Sequence, residues 1–105
     1  MAKPTLTSAQ RAALRSAGRR RKPDMRIGKA GIDPAAVAHL ARLLERAELV
    51  KVRLPAGAPA ERAGAADALA DALDAARVDL VGRVVVLYRP NDDLPPAERV
   101  ELPKD

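Results

Sequence analysis

A chain of 105 residues, 48% of them apolar and 31% charged, has the composition of one folded domain and not of a disordered segment. The absence of cysteine excludes disulfides and thiolate chemistry, and no apolar run approaches the ~18 residues of a membrane span. The N-terminal region also lacks the apolar segment of a secretory signal, so we expect a cytoplasmic protein.

The net charge of +5 is unevenly distributed along the chain. Residues 1–31 hold nine Lys or Arg and one acid, a net charge of +8, whereas residues 32–105 have a net charge of −3. A basic end on a nearly balanced domain indicates a polyanionic partner, either nucleic acid or an anionic membrane.

The first helix is predicted to begin at Thr7, after a flexible N-terminus of residues 1–6. Gln10 stands three residues after Thr7 and completes a capping box, and Gly18 lies where the helix is expected to end. Arginines recur every fourth residue on one face of this helix, at Arg11, Arg15 and Arg19. This stripe either forms an ordinary solvated surface or faces a polyanion.

A run of basic residues, Arg19-Arg20-Arg21-Lys22, ends at Pro23, which prevents the helix from continuing. The run is a flexible arm, a localisation signal or part of a binding surface. Asp24 then interrupts the apolar start of a short strand predicted at residues 25–27, which leaves the role of residues 18–24 open.

A glycine-rich loop, Gly28-Lys29-Ala30-Gly31, lies between this strand and the second helix. Glycines three apart allow positive φ and the close approach of another molecule, and the lysine adds a positive charge. Asp33 is predicted as the N-cap of the helix and Pro34 as its first residue. Free N–H groups at a helix start, with a lysine beside them, suit a phosphate. The alternative is an ordinary strand-to-helix turn.

The second helix is predicted from Pro34 to about Ala47 and is followed by a half-buried strand at residues 49–54. Its buried stripe comprises Val37, Leu40, Ala41 and Leu44, with Ala47 as a possible extension. The strand alternates, with Val50, Val52 and Leu54 pointing one way and Lys51 and Arg53 the other. His39, the single histidine, lies off the stripe and is expected to be solvated.

A third helix is predicted over residues 60–76, after a turn-rich loop. Its inner face comprises Ala65, Ala66, Leu69, Ala72, Leu73 and Ala76. Its outer face is acidic, with Asp67, Asp71 and Asp74, and is expected to face away from any nucleic acid.

The last two strands are predicted at residues 78–81 and 84–88, joined by a Gly82-Arg83 hairpin turn. The second of them is apolar on both faces and therefore central. The elements predict one α/β (α+β) domain over residues 7–91, in the order helix-strand-helix-strand-helix-strand-strand, with a four-stranded mixed sheet packed with three helices. Residues 92–105 form a tail rich in proline and acids.

We find no catalytic constellation in the sequence. Ser8 and Ser16 have no evident base, no carboxylate pair stands out, and the loop at Gly28 lacks the spacing and the ending of a P-loop. We therefore expect no enzyme activity, no cofactor, no metal and no small-molecule substrate.

Three segments taken together resemble a known family. They are Lys22-Pro23 with the strand and Gly28-Lys29-Ala30-Gly31-Ile32, then Glu48-Leu49-Val50-Lys51-Val52-Arg53, and then Val81-Gly82-Arg83 leading into Val86-Leu87-Tyr88-Arg89-Pro90. In this order and spacing they resemble the CRM domain, named for chloroplast RNA splicing and ribosome maturation, and in particular its free-standing bacterial, YhbY-like form. The resemblance covers about residues 5–91.

The resemblance implies a fold similar to the C-terminal domain of translation initiation factor three and a GxxG loop that clamps RNA backbone as in KH domains. It implies a protein that binds ribosomal RNA in the precursor of the large ribosomal subunit. We expect this protein to be a monomer. Tyr88 is the only aromatic residue and is expected in the core, so recognition should rely on phosphates and RNA shape, not on base stacking.

The predicted RNA-binding residues are Arg11, Arg15, Arg19, Arg20, Arg21, Lys22, Arg26, Gly28, Lys29, Ala30 and Gly31, with Lys51 and Arg53 as a possible extension of the same surface. Two other functions stay open. One is a protein-interaction adaptor that binds an acidic partner. The other is a DNA-binding protein, against which the chain shows neither helix–turn–helix spacing nor zinc ligands.

Overall fold

The computed structural model describes residues 3–28 and 31–104 and confirms the predicted fold. The helices are α1 (Ser8–Arg19), α2 (Pro34–Ala47) and α3 (Pro59–Leu73), and a 3₁₀ turn covers Pro96–Glu98. The strands are β1 (Met25–Arg26), β2 (Leu49–Arg53), β3 (Ala76–Val81) and β4 (Val84–Tyr88). None of the helices described is long and apolar enough to cross a membrane.

The four strands form one mixed sheet in the order β1-β2-β4-β3. β1 runs parallel to β2, while β4 is antiparallel to both of its neighbours. β4 is thus central, as its apolar residues on both faces predict, and Gly82 adopts a φ of +60° in the hairpin turn before it. That φ lies in the left-handed region, which glycine enters without a steric penalty.

α2 and α3 cover one face of the sheet. Their buried side chains form a single cluster with the inward-facing residues of β2 and β4, among them Leu40, Leu44, Val50, Val52, Leu54, Leu69, Leu73, Val85 and Leu87. The predicted stripe of α2 is confirmed, since Leu40 and Leu44 are fully buried and Val37 and Ala41 pack against the cluster. His39 is exposed, as predicted.

The end of α3 differs from the prediction. The helix stops at Leu73 because Asp74 takes a left-handed conformation, with a φ of 51°, and the chain turns directly into β3. Ala72, predicted on the inner face, is exposed, and Ala70 is buried in its place. Ala76 is buried, but in the strand. Alanine favours helix and is only weakly apolar, so an alanine-rich sequence marks neither the end nor the inner face of a helix sharply.

α1 covers the opposite face of the sheet. Leu14 packs there against Leu49, Val78, Val86 and Tyr88. Only 4% of Tyr88 is exposed, and burial, together with the nearby carboxylate of Glu48, raises the pKa of its hydroxyl. The core position predicted for this tyrosine is confirmed.

The start of α1 is as predicted, and its end lies one residue beyond Gly18. The capping box is present, with Thr7 Oγ1 accepting from Gln10 N at 3.1 Å and Gln10 Oε1 accepting from Thr7 N at 3.0 Å. The helix continues through Gly18 to Arg19, so Gly18 is not its terminator. A Cβ at Gly18 would lie 2.8 Å from Val86 Cγ2, and glycine therefore allows α1 to approach the sheet closely.

The C-terminal segment is fixed to the domain by a buried carboxylate. Glu48, at the end of α2, is fully buried and adopts a φ of 64°. It accepts hydrogen bonds from Asn91 N at 2.6 Å and Val100 N at 2.7 Å, and from Arg99 Nε at 3.2 Å. Val100 and Leu102 then pack against the α1 cluster, so the tail completes that layer.

Candidate nucleic-acid interface

The basic residues of the N-terminal half fall into two sets. Side chains of the first set donate hydrogen bonds to other groups of the protein, and side chains of the second set are exposed. Lys51 Nζ donates to the carbonyl oxygens of Gly18 at 2.9 Å and Arg21 at 2.7 Å. These carbonyls lie at and just beyond the end of α1, where carbonyl groups lack the regular intrahelical donors, and the Gly18 carbonyl also accepts from Arg21 N at 3.2 Å. Lys51 therefore holds the end of α1 against β2.

Arg21 and Asp24 fix the connection from α1 to β1. Arg21 donates to both carboxylate oxygens of Asp24, at 2.9 and 3.0 Å, and to the Leu49 carbonyl at 3.2 Å. Asp24 also accepts from Lys51 N at 2.9 Å, and its own N donates to the Lys51 carbonyl at 2.7 Å. Asp24 thus extends the pairing of β1 with β2 by one residue, which explains the acid that interrupts the apolar strand start.

The arginine stripe of α1 lies over β3. Arg11 Nη1 donates to the Arg77 carbonyl at 2.7 Å and is partly buried. Arg15 Nε and Arg19 Nε lie 3.9 and 4.0 Å from the carboxylate oxygens of Asp79, which is too long for hydrogen bonds. The exposed fraction of the side chain rises along the stripe, from 39% at Arg15 to 68% at Arg19, so the C-terminal end of α1 offers the more available cation.

The second set of cations is available to a partner. Arg20, Lys22 and Arg26 are exposed, and Arg26 of β1 is the register partner of Arg53 of β2. Arg53 is paired on its other side with Val84, the first residue after the Gly82-Arg83 turn. The parallel and antiparallel pairings therefore align basic residues across one end of the sheet.

Two cavities at this end of the sheet share Arg53, and we call them together the arginine groove. The first, of about 580 Å³, lies between the end of α1 and β3–β4 and is lined by Arg19 and Arg53. The second, of about 520 Å³, is lined by Arg26, Arg53 and Arg83, and it reaches Gly28. The Nε atom of Arg53 is buried and has no hydrogen-bond acceptor among the described residues.

Gly28, the first residue of the GxxG loop, lines the second cavity. Gly31 adopts a φ of +80° and donates to the Gly28 carbonyl at 2.9 Å, while a Cβ at either glycine would meet no atom within 4 Å. Space for a molecule to lie against this backbone is thus present. Lys29 and Ala30, also predicted as site residues, lie outside the described residues.

The start of α2 beside the loop is already capped by a carboxylate. Asp33 Oδ1 accepts from Ala36 N at 2.8 Å, and Pro34 is the first helical residue, as predicted. One of the free N–H groups of the helix start is therefore occupied by the protein itself. The helix start therefore offers a phosphate fewer free N–H groups than the sequence predicts.

Comparison with known proteins identifies the family. The model of the CRS1 / YhbY (CRM) domain matches residues 6–89 of this chain. The chain belongs to the CRM domain family. It is similar to the Probable RNA-binding protein YqeI of Bacillus subtilis, with 29% identity over 98 residues that make up 93% of this chain and 99% of the relative.

Another relative and a solved structure are similar to this chain over nearly its whole length. An RNA-binding protein of Haemophilus influenzae is 29% identical over 101 residues, which are 95% of this chain and 97% of that protein. The solution structure of the hypothetical protein SAV1595 from Staphylococcus aureus superposes with a TM-score of 0.79 at 29% identity, over 94% of this chain and all of that one. The resemblance read from the sequence is thereby confirmed.

The structure of this CRM domain gathers some of the predicted residues and separates others. Arg19, Arg26, Gly28 and Arg53 line the groove, whereas Arg11 and Arg21 are bound to backbone carbonyls inside the domain. Lys51 does both, since it lines the first cavity while its ammonium group is bound to the Gly18 and Arg21 carbonyls. Arg83 lines the groove but was not among the predicted site residues. The sequence signal for Arg83 was its place in the hairpin turn, directly before Val84, which pairs with Arg53. Among the described residues, no group of three His, Cys, Asp or Glu could hold a metal ion.

Proposed function

We propose that this CRM domain is a non-catalytic RNA-binding protein that contacts the phosphate backbone along the arginine groove. The observation that carries the proposal is the alignment of Arg26, Arg53 and Arg83 around one cavity that opens beside Gly28. Guanidinium groups donate in a planar fork that matches phosphate oxygens. Two curated relatives that cover nearly the whole chain are named as RNA-binding proteins, which supports the same function here.

Within this function, the GxxG loop is the backbone clamp. RNA lies against the open faces of Gly28 and Gly31 while the groove arginines hold the adjacent phosphates. The target is ribosomal RNA in the precursor of the large ribosomal subunit, and the protein acts in the cytoplasm as an assembly factor.

Sedimentation of the tagged protein with ribosomal particles tests the assembly role. The proposal predicts co-sedimentation with the large-subunit precursor, and loss of that association after ribonuclease treatment. Association that survives ribonuclease would favour the adaptor that binds an acidic protein. Absence from all ribosomal particles, with RNA binding retained in vitro, would remove the ribosomal target and leave the RNA-binding activity.

A further inference from the structure

The first cavity of the arginine groove has an apolar floor that phosphate contacts do not require. Val81, Val84 and Val86 line it on the α1 side of the sheet, together with Pro23. Val81 is 61% exposed, and among the described residues it is the one large apolar side chain that is exposed. A partner that offers only charge would gain nothing from this exposed apolar surface. The flat, apolar face of a nucleobase can pack against it.

The rim of the same cavity carries both signs of charge. Arg19 and Arg53 supply cations, and the buried Arg53 Nε still lacks an acceptor among the described residues. Asp79 lines the cavity with a carboxylate whose Oδ1 accepts from Leu80 N at 3.1 Å. Arg15 Nε and Arg19 Nε lie 3.9 and 4.0 Å from its two oxygens, too far for hydrogen bonds, so the carboxylate retains acceptor positions for a further donor.

We propose that this cavity binds an unpaired guanine of the RNA, with its face on Val81 and Val84 and its Watson–Crick edge on the Asp79 carboxylate. Guanine presents adjacent N1–H and N2–H donors on that edge, which match two carboxylate oxygens. The other bases offer a single donor group beside acceptors. The base must be unpaired, because pairing would occupy this edge, and proteins read single-stranded RNA in this way.

The proposal rests on the proposed function, because it adds a base site to the phosphate groove. The two cavities share Arg53, so a strand held by phosphates beside Arg26 and Arg83 continues directly past the base site. A volume of about 580 Å³ lies within the range of small-molecule sites. Purely phosphate-led recognition would ignore base identity, whereas this site predicts a preference for guanine at one position.

The test uses short single-stranded RNAs that differ at one central nucleotide, which is guanine, inosine or an abasic residue. Inosine lacks the N2 amino group, and the abasic strand keeps every phosphate. Fluorescence anisotropy with the full chain should give about tenfold tighter binding of the guanine strand than of either other strand, the magnitude expected of one two-bond base contact.

Asp79→Asn should abolish this preference and should raise the affinity for the abasic strand, because it removes a negative charge beside the RNA. Asp93→Asn makes the same charge change at an exposed position in the tail and should keep the preference. Val81→Asn changes a floor residue that is exposed, so it should preserve the fold, and it should also reduce the preference.

Equal affinity for the three strands in the parent, or an unchanged preference in both Asp79→Asn and Val81→Asn, would overturn the guanine site while leaving the phosphate groove in place. Failure of the parent to bind any of the strands would instead overturn the proposed function. Thermal unfolding of each variant verifies that the fold is retained.

Discussion

Arg26 of β1 and Arg53 of β2 stand opposite one another as register partners in the parallel pair at the edge of the sheet. Like charges opposite each other on neighbouring strands are destabilising. A bound polyanion would neutralise this repulsion. In the free protein, we expect the pair to lower the free energy of unfolding.

Replacement of Arg26 by Gln should therefore leave the free energy of unfolding unchanged or raise it, by about 0.2–1 kcal/mol, while RNA binding weakens. Arg42→Gln is the matched control, because Arg42 is exposed on α2 and lies outside both cavities. Thermal unfolding and RNA affinity are measured on the same preparations. Clear destabilisation by Arg26→Gln would show that this arginine supports the fold.

Lys51 is predicted to act in stability more than in binding. Lys51→Ala removes the donor shared by the Gly18 and Arg21 carbonyls and should lower the free energy of unfolding by about 1–3 kcal/mol. Lys22→Ala, at an exposed position, should change it by no more than about 0.5 kcal/mol but should weaken RNA binding. Equal stability of the two variants would refute the division of the basic residues into two sets.

Glu48 is predicted to control the C-terminal segment. Glu48→Ala leaves the N–H groups of Asn91 and Val100 without their acceptor, at a cost on the order of 1–3 kcal/mol for each donor that stays buried. Hydrogen exchange of these two amides should become much faster, as the segment loses its attachment. Glu45→Gln, one turn earlier at an exposed position, is the control and should leave both amides protected.

The sequence predicted the elements and their order because caps, periodicity and the hairpin turn are local signals. Thr7 and Asp33 cap the helices they were expected to cap, and the apolar strand at residues 84–88 is central. The end of α3 was missed because alanine continues a helical pattern beyond Asp74. Charge alone could not distinguish Lys51, which holds helix carbonyls, from Lys22, which is exposed.

The role of Glu48 could not be predicted either, because its partners lie 43 to 52 residues further along the chain. Only the folded arrangement brings the tail back to the end of α2. The groove was predicted in part, since Arg26 and Arg53 were named but their alignment depends on the strand register.

The loop clamp predicts the effect of placing negative charge between the two glycines. Replacing Lys29 and Ala30 with aspartates keeps Gly28 and Gly31, and with them the turn. Thermal stability should remain near that of the parent, while most RNA affinity is lost. Ala97→Asp with Lys104→Asp changes the net charge equally at exposed tail positions and should keep most of the affinity. If the loop variant bound RNA as tightly as the parent, the loop would be only a turn and not an RNA clamp.

The salt dependence of RNA binding tests the phosphate-led groove most directly. With roughly four to six phosphate contacts, log affinity should fall against log salt with a slope of about −3 to −5, and Arg26→Gln should make that slope shallower by about one. Arg42→Gln should leave the slope unchanged. A parent slope near zero, or an equal slope for Arg26→Gln and the parent, would contradict the account.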